Sequence, residues 1–207
     1  MKNIAKNTIK RLPVYLSYLK NLPEEQVYIS ATSIAEGLKL GDVQVRKDLA
    51  AVSGAGRPKT GYDRVVLIET LEKFLGYDVQ KDAVLVGAGK LGMALLDYYK
   101  FSDYGLNIAA AFDSNIKKIG ETSSGKRIYH MDEFEEYCVR NKVRIGIITV
   151  PASEAEAVRQ KMTDCGIDVI WNFAPIYLAE TEGEHINNEN MAVSLAILTG
   201  HLRDEEE

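Results

Sequence analysis

The feature that most constrains this chain is a short apolar run, Ala83 to Val86. It feeds directly into Gly87-x-Gly89-x-x-Gly92 and then an amphipathic stretch from Met93 to Tyr99. Strand, glycine turn and helix in that order open a βαβ unit. Only that context turns a common glycine pattern into a dinucleotide-binding signal. Gly87 makes the tight turn, Gly89 lets the backbone approach a pyrophosphate, and Gly92 lets the helix lie close on its strand. The helix start offers unbonded N–H groups and a partial positive charge to the phosphates. Gly87, Ala88, Gly89, Lys90, Leu91 and Gly92 are therefore the first candidate site.

A second buried strand is expected at Asn107–Phe112, ending in Asp113. Asp113 lies 21 residues beyond Gly92. That spacing suits a carboxylate that accepts hydrogen bonds from an adenosine ribose and repels a 2′-phosphate, which favours NAD over NADP. The competing reading is a turn or cap ahead of Ser114-Asn115. Strand Arg127–His130, helix Met131–Asn141 and strand Val143–Val150, stopped by Pro151, follow. Then come helix Ser153–Cys165, with Ser153 as cap, and the strand and exit loop Val169–Pro175. This alternation predicts an α/β fold with a parallel sheet covered on both faces and a ligand beyond the carboxyl ends of its strands. Those ends are the Gly87 turn, Asp113, the Val150-Pro151 loop and Asn172-Phe-Ala-Pro175.

The unit sits behind a basic head. Residues 1–62 hold ten Lys/Arg against five acids, a net +5 that leaves −10 for the rest of a chain whose total is −5. A basic head on an acidic body points to a polyanion met by the head alone, against the alternative of uneven surface charge. Thr8–Leu22 has helical spacing, with Ile9, Leu12, Leu16 and Leu19 near one face, and Pro23 closes it. Ser30–Leu38 reads as a second helix capped by Ser30 or Thr32, with Ile34 and Leu38 inward. Gly41 is the expected pivot of the following turn and Asp42 the next cap. A third helix, Val43–Val52, has Val45, Leu49 and Val52 on one stripe and Gln44, Arg46, Lys47 and Asp48 off it. Two helices and a turn, the second showing Gln44, Arg46 and Lys47, form a helix-turn-helix candidate. Gln can read adenine, Arg guanine, and Lys phosphate. Ser53–Tyr62, rich in glycine, reads as a β-hairpin wing with Arg57 and Lys59 at its tip, and Val65–Leu75 resumes as helix up to Gly76. A generic helical bundle is the rival to a winged helix-turn-helix.

Other classes are disfavoured. No apolar run is long enough to span a membrane, and the start lacks an apolar signal core, so a cytoplasmic protein is expected. Cys138 and Cys165 are read as buried thiols without metal or redox role. His130, His185 and His201 have no partner at catalytic spacing, so no catalytic or metal residue is assigned. Met191–Leu202 is apolar around most of its circumference and must be buried, on its own domain or on a twofold partner. The acidic end that follows reads as frayed.

Together these pieces resemble the Rex family of redox-sensing transcriptional repressors. The resemblance is carried by Arg11-Leu-Pro-Val-Tyr-Leu, Gln44-Val-Arg-Lys-Asp-Leu49, Gly61-Tyr62, Leu85–Gly92, Ala110–Asp113, Val150-Pro-Ala152 and Asn172–Pro175. It implies a winged helix-turn-helix over 1–76, a Rossmann-like domain over 77–187 and a C-terminal domain-swapped helix with acidic tail over 188–207. It implies a homodimer that binds double-stranded operator DNA when NADH is scarce and releases it when NADH binds the Rossmann domain, and it implies no enzyme activity. Arg46 and Lys47 would contact the operator. Tyr98, Asn172 and Pro175 would lie around the nicotinamide.

Three positions depart from the family pattern. The wing lacks the family's aromatics (Val52-Ser-Gly-Ala-Gly-Arg-Pro-Lys-Thr-Gly-Tyr62). Trp171 replaces a smaller apolar residue. Asn190 stands where the family carries an Asp that switches charge partners with an Arg matched here by Arg11; a neutral Asn190 cannot make that ion pair. A Rex-like repressor responding to another adenine nucleotide or to none, or a small NAD-dependent oxidoreductase, stays open as an alternative.

Overall fold

The computed structural model describes residues 4–204, and side-chain surroundings as far as residue 200. The acidic end Glu205–Glu207 and the side chain of His201 lie outside that description. The chain forms two compact units, one ending at Val79 and the other starting at Gln80, with Asp103–Gly105 grouped with the first. The break falls three residues beyond the one expected after residue 76.

The first unit contains α1 (Lys6–Lys20), β1 (Tyr28–Ile29), α2 (Ala31–Leu38), α3 (Asp42–Ser53), β2 (Tyr62–Asp63) and α4 (Arg64–Leu75). Leu12, Tyr15, Ile34, Val45, Leu49 and Leu71 meet in one core that excludes water. Ser30 caps α2 by accepting from the Ser33 N–H at 3.0 Å. The turn after α2 differs from expectation. Lys39, not Gly41, takes the left-handed conformation (φ 55°), and the Leu40 N–H reaches back to the Ala35 carbonyl. Gly41 is the N-cap of α3 and Asp42 its first residue. The Asp42 carboxylate is drawn instead to Thr32 and Arg46, so it does not cap.

The wing also differs. Arg57 and Gly61 exchange two backbone bonds, at 2.7 and 2.9 Å, around a tight turn with Lys59 at φ 67°. No flanking hairpin strand pairs across that loop; the strand after it, β2, pairs antiparallel with β1. A two-strand sheet thus ties the wing to the segment before α2.

The second unit continues with β3 (Lys81–Val86), α5 (Lys90–Leu96), β4 (Leu106–Asp113), β5 (Gly120–Glu121), β6 (Arg127–His130), α6 (Phe134–Asn141), β7 (Ile145–Ile148), α7 (Ala152–Asp164), β8 (Val169–Asn172), β9 (His185–Asn188) and α8 (Met191–Asp204). The sheet order is β5-β6-β4-β3-β7-β8-β9, parallel except for β5. The chain therefore runs outward from β3 in one direction, then returns and runs outward in the other. That reversal creates a crevice at the carboxyl ends of β3, β4 and β7. Alternate residues feed two cores: Val84, Val86 and Phe112 on one face, Ala83, Leu85 and Ala111 on the other. A period of two on a doubly covered sheet explains the continuous apolar runs.

Four local expectations need correction. The residue before α7 is Pro151, and no side chain caps that helix, so Ser153 is not its cap. Cys165 is only half-buried, whereas Cys138 is fully buried. The strand β9 was not foreseen, and the division expected after residue 187 cuts through it. Asp48 lies in the core of the first unit rather than on an outer face.

Candidate nucleotide cavity and nucleic-acid face

The crevice in the second unit holds a cavity of about 560 Å³. Its walls come from Val86, Gly87, Gly89 and Leu91 on one side, Asp113, Ser114, Asn115 and Lys118 on another, and Thr149, Val150, Pro151 and Glu154 on a third; Phe173 and Pro175 close it. The volume lies within the range of small-molecule sites. Gly87 turns at φ 103°, a conformation that L side chains rarely adopt. A Cβ on Gly92 would overlap the Gly87 carbonyl oxygen, so only glycine lets α5 start this close to the turn. A Cβ on Gly89 would meet nothing within 4 Å and would extend into open space at the cavity wall. Thr149 locks the turn from β7 by donating to the Gly87 carbonyl at 2.7 Å.

Asp113 is buried at the end of β4. Its Oδ2 accepts from the Ala88 N–H at 2.8 Å and from Lys118 Nζ at 2.7 Å, while Oδ1 accepts from the Asn115 N–H at 2.8 Å. Burial alone would raise its pKa. The Lys118 ammonium and the two N–H donors outweigh burial and hold it below the usual carboxylate range. One lone-pair direction on Oδ1 stays available to a hydroxyl. A charged carboxylate, an open glycine and a broad cleft fit the ribose and diphosphate of a dinucleotide.

The other expected cofactor residues divide. Val150, Pro151 and Pro175 line the cavity. Ala88 acts through its N–H on Asp113, and Lys90 is an exposed first residue of α5. Asn172 is fully buried, and its amide orders the exit loop by bonding Ile176 O, Asn188 Oδ1 and the Ala174 N–H. Tyr98 lies elsewhere, in a smaller groove with Phe101 and Lys126. Sequence reasoning missed Thr149, Lys118 and Glu154. The signals were a polar residue ending an apolar strand and a Lys117-Lys118 pair just past Asp113.

In the first unit Arg46, Lys47, Arg57 and Lys59 converge on one groove of about 550 Å³, floored by Thr32, Gly56 and Tyr62. Arg46 is held by Asp42 at 2.7 Å. All four cations expected to meet DNA are therefore on one face. Gln44 is exposed on the flank of α3 that faces Arg11.

Arg11 is bound inside the first unit. Its Nε and Nη2 donate to the two oxygens of Asp48 at 2.7 and 2.8 Å, and Thr8 and Tyr15 each donate to that carboxylate at 2.8 Å. Burial opposes the Asp48 charge, but these donors outweigh it and keep the pKa low. Burial, then Asp48, pushes the Tyr15 hydroxyl up to about 12. Asn190 Oδ1 accepts from the Ala192 N–H at 3.0 Å and so caps α8. On α8, Met191, Val193, Leu195, Ile197 and Leu198 are all at least 55% exposed, which removes the option that this helix packs on its own domain.

The fold and its two sites define a class: a winged-helix unit joined to a Rossmann-type unit with a cleft of nucleotide size. A CoA-binding domain model matches residues 78–176, and a model described as a putative DNA-binding protein N-terminus matches residues 3–50. The chain is 40% identical over 195 residues to the redox-sensing transcriptional repressor Rex of Treponema denticola, covering 94% of this chain and 93% of that one. It is 36% identical over 200 residues to Rex of Bacteroides fragilis, covering 96% and 91%. The crystal structure of RSP in complex with β-NAD+ and operator DNA matches with a TM-score of 0.92 at 31% identity, over 100% of this chain and 95% of that one. RSP in complex with β-NADH matches at 0.87 and 30%, over 100% and 97%. The chain belongs to the Rex family of redox-sensing transcriptional repressors.

Proposed function

We propose that this protein is a transcriptional repressor that senses the NADH/NAD+ balance, binding operator DNA as a homodimer and releasing it when NADH enters the cavity of the second unit. One observation carries the reading. A glycine turn with an Asp113 cleft and a four-cation groove occur in a chain that matches, over its whole length, a repressor solved with both NAD+ and operator. The Gly87–Gly92 turn would hold the diphosphate, Asp113 the adenosine ribose, and Val150, Pro151 and Pro175 the far half of the dinucleotide. Asn172 supports that end by ordering the loop that carries Pro175. The position of Tyr98 outside the cavity of its own chain gives no support to a nicotinamide contact there. Arg46, Lys47, Arg57 and Lys59 would meet the DNA, with Gln44 beside them.

The bound dinucleotide supplies a ring that is cationic when oxidised and neutral when reduced. A site that distinguishes these forms shifts the DNA-binding equilibrium by that difference in affinity. A tenfold preference corresponds to about 1.4 kcal/mol. Homodimerisation is supported by the apolar, unpacked α8. The oxidoreductase alternative draws no support from relatives that are repressors over more than nine-tenths of the chain. Among the described residues no group of three or more His, Cys, Asp or Glu is placed to hold a metal, and no helix is long and apolar enough to cross a membrane.

The test is operator affinity measured across separate NADH and NAD+ titrations. NADH weakening the complex supports the reading; indifference to both dinucleotides overturns redox sensing. A second reading is a response to another adenine nucleotide, favoured by the neutral Asn190 that caps its own helix. Thermal shifts with NADH, NAD+, NADPH, ATP and ADP separate the two.

A further inference from the structure

Next to Asp113 the cavity wall turns apolar and carries one unpaired acceptor. Asp113 is paired across the sheet with His130, and Met131, the residue after it, lines the cavity. Another part of the wall comes from α7. Glu154, Val158 and Lys161 are spaced four and three residues apart, so they share one face of that helix. Lys161 Nζ donates to the Met131 carbonyl at 3.1 Å, which turns this face toward the end of β6. Val158 is buried, and Met131 packs against the same apolar cluster. Glu154 is exposed at the cavity wall. The charged residues of the wall are Asp113, Lys118 and Glu154. Asp113 and Lys118 are bound to each other at 2.7 Å. Among the described residues the Glu154 carboxylate has neither an ion pair nor a hydrogen bond. Its place in the first turn of α7 suits the helix dipole, but that alone does not require it to face the cavity.

We infer that Glu154 is a specificity-determining residue that accepts from the 6-amino group of an adenine lodged against Met131 and Val158, so that the cavity selects adenine over hypoxanthine dinucleotides. This rests on the proposal that Asp113 holds the adenosine ribose. The base is joined directly to that ribose and so lies beside Asp113, where Met131 and Val158 offer it apolar surface. An ionised carboxylate only accepts. Adenine carries a donor at its 6-position, whereas guanine and hypoxanthine carry a carbonyl oxygen there, and two facing acceptors repel. Hypoxanthine has a hydrogen on the neighbouring ring N1. To use it the base must slide by one ring position, which a ribose held at Asp113 opposes.

The test is calorimetric titration of the full chain with NADH and with reduced nicotinamide hypoxanthine dinucleotide. The wild type should bind NADH about tenfold or more tightly, the cost of leaving one polar group mispaired. Glu154→Gln can turn either its oxygen or its –NH₂ to the base, so the ratio should fall to within about threefold. Glu154→Ala should lose the preference as well. The ratio is taken within each variant, so a change in stability does not imitate the effect. A wild type that binds the two dinucleotides equally overturns the inference. So does a variant that keeps the wild-type ratio, including one that weakens both alike. If one variant loses all binding, the wild-type ratio and the other variant decide. A wild type that binds neither dinucleotide overturns the cofactor reading as well, whereas equal binding of both overturns this inference alone.

Discussion

The carboxylate of Asp113 accepts a hydrogen bond from the backbone N–H of Ala88, 25 residues earlier, at 2.8 Å. The residue proposed to meet the ribose is thus also a brace of the glycine turn proposed to meet the diphosphate. Asp113→Asn keeps the shape but removes the Lys118 ion pair and the charge on the remaining lone pair. NADH affinity, measured by calorimetry, should fall about tenfold, since a hydrogen bond to a charged group contributes roughly 1.5–3 kcal/mol. An unchanged affinity would remove Asp113 from the ligand site.

Two glycines of the same turn should respond in opposite ways. Gly89→Ala places a methyl in open space, so the melting temperature should hold while dinucleotide affinity drops by about tenfold or more, because the methyl takes the place of the diphosphate. Gly92→Ala drives a methyl into the Gly87 carbonyl and should destabilise the second unit by about 1–3 kcal/mol in a denaturant titration.

Acid should act on the first unit through Asp48. Its folded pKa is depressed, so its contribution is complete above the ordinary value near 4 and is lost as pH falls through the folded value. Asp113 shifts in the same direction and acts likewise on the second unit. Asp48→Asn should reduce stability at neutral pH by about 3 kcal/mol, because it leaves Arg11 without its counter-charge. It should also flatten the decline below pH about 4, as read by chemical denaturation across a pH series.

Removing cations of the groove should weaken DNA binding without changing the fold. Lys47→Ala should reduce the slope of log affinity against log salt by about one if Lys47 contacts phosphate. Arg46→Ala should instead relax base preference at one half-site position, with a discrimination loss of about 1–3 kcal/mol. Fluorescence anisotropy at several salt concentrations distinguishes them.

Removal of α8 tests the dimer. A chain ending at Asn190 loses the exposed apolar side chains from Met191 to Leu198. Sedimentation should show a dimer for the full chain and a monomer for the shortened one, with the nucleotide cavity still able to bind. A dimer of undiminished stability would place the interface elsewhere.

Much of this was readable from residue order. The strands β3, β4 and β8 announce themselves as apolar runs, and the helices of the first unit as spaced leucines and valines. Local backbone geometry and burial impose those periods directly. The edge strand β9, His-Ile-Asn-Asn, carries almost no such pattern, since an edge strand needs only one buried contact, here Ile186. Lys39 in a left-handed turn was also hidden, because a neighbouring glycine offered the cheaper solution on local grounds.

By itself the sequence determined the two-unit architecture, the glycine turn, the carboxylate at the end of the second strand and the basic face of α3. Each of these depends on neighbours within a turn or a strand. Only the tertiary structure decided that Asp48 is buried against Arg11, that Lys118 neutralises Asp113, that Thr149 locks the turn and that Gln44 lies beside Arg11. Arg11, Thr149 and Gln44 find partners on a different element of the fold, and Asp113 and Lys118 meet only because the chain turns back after β4. Hydrogen bonds of this kind depend on distance in space, which spacing along the chain does not specify.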